Sequence, residues 1–181
     1  MRVLNCVVED HNFLLVALAA AVCVIGALVT MQLYRKMGGS RGLTRATWLV
    51  TGAGAGGASI WCTHFIAMLA WTPSVATSYE PLLTAGSLVL ALVGCAVALG
   101  VGSSRGLIAK LTGGALFGLT VSGMHYLGMA GLESRAFLIY SPAYVVASVL
   151  LSVGFGGAAF WLAGARHLPS PKITSSIAMV P

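Results

Sequence analysis

Five long apolar stretches divide the chain, and short polar clusters separate them. They run Asn12–Leu33, Ala46–Ala70, Pro81–Gly102, Leu107–Leu132 and Pro142–Gly164. Each reaches the roughly 20 residues that a helix needs to cross a bilayer. Pro73, Pro81 and Pro142 fall at predicted turns or helix starts, where a missing backbone N–H costs least. The pattern predicts an all-α membrane protein, a bundle of about five transmembrane helices joined by short loops. The first stretch follows Glu9, Asp10 and His11 rather than a basic segment, and it exceeds a signal-peptide core, so it reads as a retained span.

The polar positions orient the bundle. Arg35, Lys36, Arg41 and Arg45 fall in the first loop, Arg105 and Lys110 flank the third, and Arg166 and Lys172 follow the fifth span. In a five-span arrangement all eight lie on one side. Arg2, Arg135 and all four acidic residues, Glu9, Asp10, Glu80 and Glu133, lie on the other. The basic side is cytoplasmic by the positive-inside rule, which puts the N-terminus outside.

Composition agrees. The chain is 58% hydrophobic and only 8% charged, against roughly 25% charged in soluble domains, so too little polar surface exists to coat a water-soluble globule. The net charge of +6 is explained by topology. No basic aromatic surface supports a nucleic-acid partner; the lipid bilayer is the partner expected.

Two segments repeat. Trp61-Cys62-Thr63-His64-Phe65-Ile66-Ala67-Met68 and Gly123-Met124-His125-Tyr126-Leu127-Gly128-Met129 each carry His, an aromatic residue, and Met four places after the His. Both lie near the outer ends of outgoing spans. Residues four apart share one helix face, so His64 with Met68 and His125 with Met129 would present two nitrogens and two sulfurs, a set suited to a soft or borderline metal. Met124 points about 100° away from His125 and is the weaker donor. His11, outside the first span, is a further candidate. Against this stands a plainer alternative, in which both histidines lie in the headgroup zone and hydrogen-bond to water. Trp61, Phe65, Trp71 and Tyr126 fit an aromatic interfacial belt equally well.

The repeat unit is an outgoing helix ending in the His/Met motif, followed by a returning helix. Residues 1–172 form one domain on this reading. Residues 173–181 read as a short tail or the stub of a sixth span. Glycines crowd the spans: Gly52 and Gly56 stand in G-x-x-x-G spacing, and Gly113, Gly114, Gly118, Gly154, Gly156 and Gly157 follow. Close helix packing accounts for them. Cys23 and Cys95 fall mid-span and are expected to be buried, while Cys6 and Cys62 lie near one membrane face. No CxxC pair, paired intramembrane carboxylates or nucleophile–base motif appears, so no enzyme is expected.

These residues resemble the MHYT family of bacterial integral membrane sensor domains. The signature Met-His-Tyr-Thr stands here as Met124-His125-Tyr126-Leu127, followed by Gly128-Met129, and Trp61–Met68 is similar to the first family motif. The opening Asp10-His11-Asn12-Phe13 is also similar to family N-termini. The resemblance implies an outer-face sensory site in the bacterial inner membrane that holds copper and responds to a diatomic gas such as oxygen, carbon monoxide or nitric oxide. It extends the binding role to His64, Met68, His125, Tyr126 and Met129. It also implies a cytoplasmic signalling partner or a homo-oligomer. Three departures stand out: Leu127 replaces the signature threonine, the third His/Met motif is missing, and no output domain follows. Other functions consistent with the residues are a haem protein with His64 and His125 as axial ligands, a copper-transport module, and a structural membrane subunit.

Overall fold

The computed structural model describes residues 11–72, 77–134 and 140–165. Arg2, Cys6, Glu9, Asp10, Pro73, Arg135, Arg166, His167, Lys172 and the tail 173–181 lie outside the described residues. Five long helices account for most of the described chain: α1 (Phe13–Gly38), α2 (Gly42–Ala70), α3 (Pro81–Gly102), α4 (Leu107–Ala130) and α5 (Pro142–Ala165). All five are long and apolar enough to span a membrane. The protein is a multi-pass helical membrane protein. Large apolar side chains such as Leu14, Ile25, Val50, Ile108 and Phe155 are exposed on the outside of the bundle, where lipid rather than water is the solvent.

Local chemistry sets the helix ends. The Asn12 side chain accepts from the backbone N–H groups of Leu14 and Leu15 and caps α1. Glu80 caps α3 in the same way, with Pro81 at the first helical position. The first span is longer than predicted and ends at Gly38, because Arg35 and Lys36 suit the negative end of a helix dipole. The second begins at Gly42, whose φ of 56° makes the turn. The fourth ends at Ala130, and Leu132 leaves the helix for a short strand.

That strand was not anticipated. Thr77–Tyr79 (β1) and Leu132–Ser134 (β2) pair antiparallel, with Ser78 opposite Glu133. The Ser78 hydroxyl donates to the Glu133 carboxylate at 3.0 Å, and the Glu80 N–H donates to the Gly131 carbonyl at 2.8 Å. The ribbon joins the α2–α3 and α4–α5 connections. Nearby, His11 bridges to Trp71, and the Asn12 N–H donates to the Ala70 carbonyl.

At the opposite end, Arg45 donates to the Ser103 hydroxyl at 2.8 Å, and the Tyr34 hydroxyl donates to the Gly102 carbonyl. The two basic loops are thus neighbours. Glu80 and Glu133 belong to the ribbon end, so the described charges segregate between the two ends as their sequence positions predict.

The helices pack in chain order, α1 on α2, α2 on α3, α3 on α4 and α4 on α5, with a narrower contact between α2 and α4. A core of Tyr34, Met37, Ala53, Cys95, Leu99, Phe160 and Ala163 closes the basic end. Cys95 is fully buried, but Cys23 is exposed, contrary to expectation. Its exposure is to a cavity between α1 and α5, which it lines.

Helix α4 meets α5 backbone to backbone. A Cβ added at Gly114 would collide with the Gly156 carbonyl, and one at Gly118 with that of Ser152. Neither carbonyl can yield without moving a helix. Gly118→Leu is therefore expected to destabilise the bundle by about 1–3 kcal/mol or more through overpacking. Gly54→Ala, where an added Cβ meets nothing within 4 Å, should leave stability unchanged. Thermal unfolding of both variants in detergent checks the contrast.

Candidate metal centre

His64 lies six residues before the end of α2, and His125 five before the end of α4. At about 1.5 Å per residue, each is about 7–9 Å inside its helix terminus. The narrow α2–α4 contact brings them together: Nδ1 of His64 and Nδ1 of His125 stand 3.2 Å apart. One imidazole donates its Nδ1–H to the bare Nδ1 of the other. The rings meet nearly edge to face, with centroids 4.8 Å apart. Two residues 61 positions apart in the chain thus form one unit.

Aromatic side chains enclose the pair. Phe65 packs on His64 at 5.0 Å, with Trp61 on Phe65 at 4.6 Å and Tyr79 of β1 near Phe65 at 5.9 Å. Burial raises the Tyr79 phenol above its ordinary pKa, so it stays neutral. The Trp61 indole N–H is shared between the Thr84 carbonyl and the Ser87 hydroxyl at 3.2 and 3.1 Å. Trp61 therefore ties α2 to α3. Tyr126 reaches the other way. Its hydroxyl shares a 2.7 Å hydrogen bond with Ser148 of α5, whose own hydroxyl also donates to the Val145 carbonyl.

A cavity of about 930 Å³ lies between α1 and α5, with α2 and α4 behind it. Its lining includes His64, His125, Met124 and Tyr126, but neither Met68 nor Met129. Met124, ranked as the weaker donor from its angle on the helix, is almost fully buried and lines the same cavity as the two imidazoles. Met68 and Met129 are half-buried. His11 is held at the outer end by its bridge to Trp71 and is not part of the lining.

The separation of the two nitrogens can be compared with that of a chelated ion. Two imidazole nitrogens on one ion, at about 2.0–2.1 Å and tetrahedral angles, stand about 3.3 Å apart. The observed 3.2 Å matches that separation, and an ion in place of the shared proton requires each ring to tilt by about 35° from the N–N line so that both lone pairs converge on it. Among the described residues no cluster of three or more His, Cys, Asp or Glu side chains surrounds the position. Besides the imidazoles, the described cavity wall carries three soft sulfur donors: the thioethers of Met31 and Met124 and the Cys23 thiol. Of the two thioethers, Met31 packs against the core at the basic end.

The family follows from the sequence as a whole. Residues 57–115 and 118–175 each match the MHYT family, described as a bacterial signalling protein N-terminal repeat. The chain belongs to the MHYT family. The two matches each take in one His/Met motif and the returning helix after it. An uncharacterized signaling protein of Caulobacter vibrioides is 41% identical over 90% of this chain. The bifunctional diguanylate cyclase/cyclic di-GMP phosphodiesterase MucR of Pseudomonas aeruginosa is 31% identical over 95%, and the signaling protein YkoW of Bacillus subtilis is 28% identical over 79%. The chain spans only about a fifth to a quarter of the length of these relatives: 20%, 26% and 18%. No solved structure matches the chain.

Tyr126→Phe removes the bond to Ser148 while keeping the ring. The expected cost is about 0.6 kcal/mol, the usual size of an interhelical side-chain hydrogen bond in a membrane. Comparing unfolding of Tyr126→Phe, Ser148→Ala and the double variant checks it; the double should cost no more than either single.

Proposed function

We propose that this chain is the membrane-embedded sensory part of a signalling system and that it binds one copper ion through Nδ1 of His64 and Nδ1 of His125. The observation that carries the reading is the 3.2 Å separation of those atoms, reached from two separate repeats. Met124 is the thioether we assign to the site, because it shares the cavity wall with both imidazoles and adjoins His125 in the chain, whereas Met31 of the same wall packs against the basic-end core. Neutral imidazole with thioether suits Cu(I) and accommodates Cu(II). Bound there, copper supplies a coordination position open to a small ligand. A diatomic gas is the proposed signal.

The spacing favours a single chelated ion over a haem between two axial histidines, since no porphyrin plane fits between nitrogens in hydrogen-bond contact. It also favours a fixed site over a transport relay, since the basic end of the bundle is closed by Tyr34, Leu99 and Phe160.

The protein's own groups carry the rest. Phe65, Trp61 and Tyr79 keep water from one side of the pair. Tyr126 joins the residue beside His125 to α5 through Ser148, a route by which a shift of α4 reaches the next helix. A signal changes the output only if it favours one of two helix arrangements, and the partner reading α5 sits on the cytoplasmic side of the inner membrane. The named activities of the relatives, cyclase and phosphodiesterase, belong to those longer proteins. The part matched here is the non-catalytic membrane repeat.

The test is metal analysis with an absorption spectrum on the detergent-purified chain. About one copper per chain is expected, lost in His64→Ala/His125→Ala. Met124→Ala should weaken binding more than Met68→Ala or Met129→Ala. No copper after loading the wild type, or copper retained in the double variant, contradicts the reading.

A further inference from the structure

The two motifs are alike in sequence but not in how they touch. His64 lies against α4 with its Nε2 buried and without a hydrogen-bond partner. The surface beneath it is Gly128, three residues after His125. A Cβ there would stand 2.7 Å from His64 Nε2, 3.0 Å from its Cδ2 and 3.5 Å from Phe65 Cζ. The first two distances are below ordinary van der Waals contact, so a methyl group at Gly128 and the His64 ring cannot both keep their places. Gly128 itself is buried. Ala67 holds the equivalent place in the first motif, three residues after His64, and it is exposed.

We propose that Gly128 is a positioning residue, the seat that sets the His64 ring so that its Nδ1, rather than its Nε2, meets His125. The relation runs one way, from α2 onto α4, and Ala67 plays no such part. Which nitrogen of a histidine is offered to a partner depends on what holds the other. Here the other nitrogen is held by packing alone, against a backbone with no side chain. The ring has little freedom to evade a methyl group, because Phe65 packs on it at 5.0 Å and His125 at 4.8 Å. Its easiest response is to rotate or slide along α4, which moves Nδ1 off the 3.2 Å separation. The colliding atoms belong to the far end of a side chain, so the helix pair itself is expected to stay intact.

The proposal deepens the reading of the pair as a copper site and rests on it for the binding assay, but not for the ring position. The experiment compares Gly128→Ala with Ala67→Leu in detergent-purified chain. Gly128→Ala should lower copper affinity about 10–100-fold, the usual effect of removing a ligand's support, and change the Cu(II) electron paramagnetic resonance spectrum. Ala67→Leu should change neither, and both should keep the wild-type melting temperature within a few degrees. Equal affinity and an unchanged spectrum for Gly128→Ala, or equal losses in both variants, overturn the proposal. In parallel, ¹⁵N chemical shifts of the two imidazoles are compared in copper-free wild type and variants. If the wild type binds no copper, the copper reading fails and these shifts decide the seat alone: a change confined to Gly128→Ala upholds it, and shifts unchanged in that variant overturn it.

Discussion

An imidazole carried inside a membrane-spanning helix has no water to satisfy it, and an unpaired N–H there costs several kcal/mol. In this protein the two motif histidines meet that demand at Nδ1, where each has the other as its partner, while Nε2 of His64 is buried without a hydrogen-bond partner and is best left unprotonated, with His64 as the donor of the pair. That one constraint fixes the rotation of α2 and α4 about their axes, since a turn of either helix by one residue, about 100°, would carry its ring out of reach. It also explains why the contact between these two helices is narrow yet specific. Neighbours in chain order pack along broad faces, whereas α2 and α4 share a small contact that includes His64 on His125 and on Gly128.

The remaining structure holds that meeting point. Outside the bilayer, β1 and β2 tie the loop after α2 to the loop after α4, so the ends just beyond the two histidines cannot drift apart. On the flank, Trp61 fastens α2 to α3 with two acceptors. Glycines let α5 lie directly on α4, and Tyr126 joins the same two helices next to the pair. At the basic end Tyr34 and Phe160 meet at 4.9 Å and close the bundle, which leaves the cavity between α1 and α5 opening beside the imidazoles. A packed closed end, with a cavity beside the histidine pair, is an arrangement in which binding can bias packing without unfolding it.

Much of this was legible in the sequence. Length and apolarity mark all five spans, because the bilayer makes few other demands. The end-to-end division of charge is legible for the same reason. The recurrence of His-aromatic-x-small-Met pointed to two equivalent groups, and the structure brings their histidines together. Which methionine lines the cavity beside the imidazoles was not legible. Spacing of i, i+4 puts Met129 near the face of His125, but the cavity wall on α4 includes Val121, Ser122, Met124 and His125, so the methionine that shares the cavity with the imidazoles is the adjacent one. Met68 and Met129 have no place in that wall. The ribbon escaped because three-residue strands carry no periodic signal. Cys23 was misplaced because a cavity between helices, which it lines, leaves no mark in local apolarity. The part played by Gly128 depends on a ring from another helix, which no local pattern encodes.

The central claim is that His64 and His125 meet through their Nδ1 atoms, and the most direct test is the distance between those atoms. Magic-angle-spinning NMR on chain with ¹⁵N-labelled histidine, reconstituted in lipid without metal, measures it by ¹⁵N–¹⁵N dipolar recoupling. Assignment comes from His64→Asn and His125→Asn samples. The account predicts a single inter-residue coupling matching the 3.2 Å contact, abolished by either substitution. Two uncoupled imidazoles with the shifts of water-exposed histidine would contradict it and return both residues to the membrane interface.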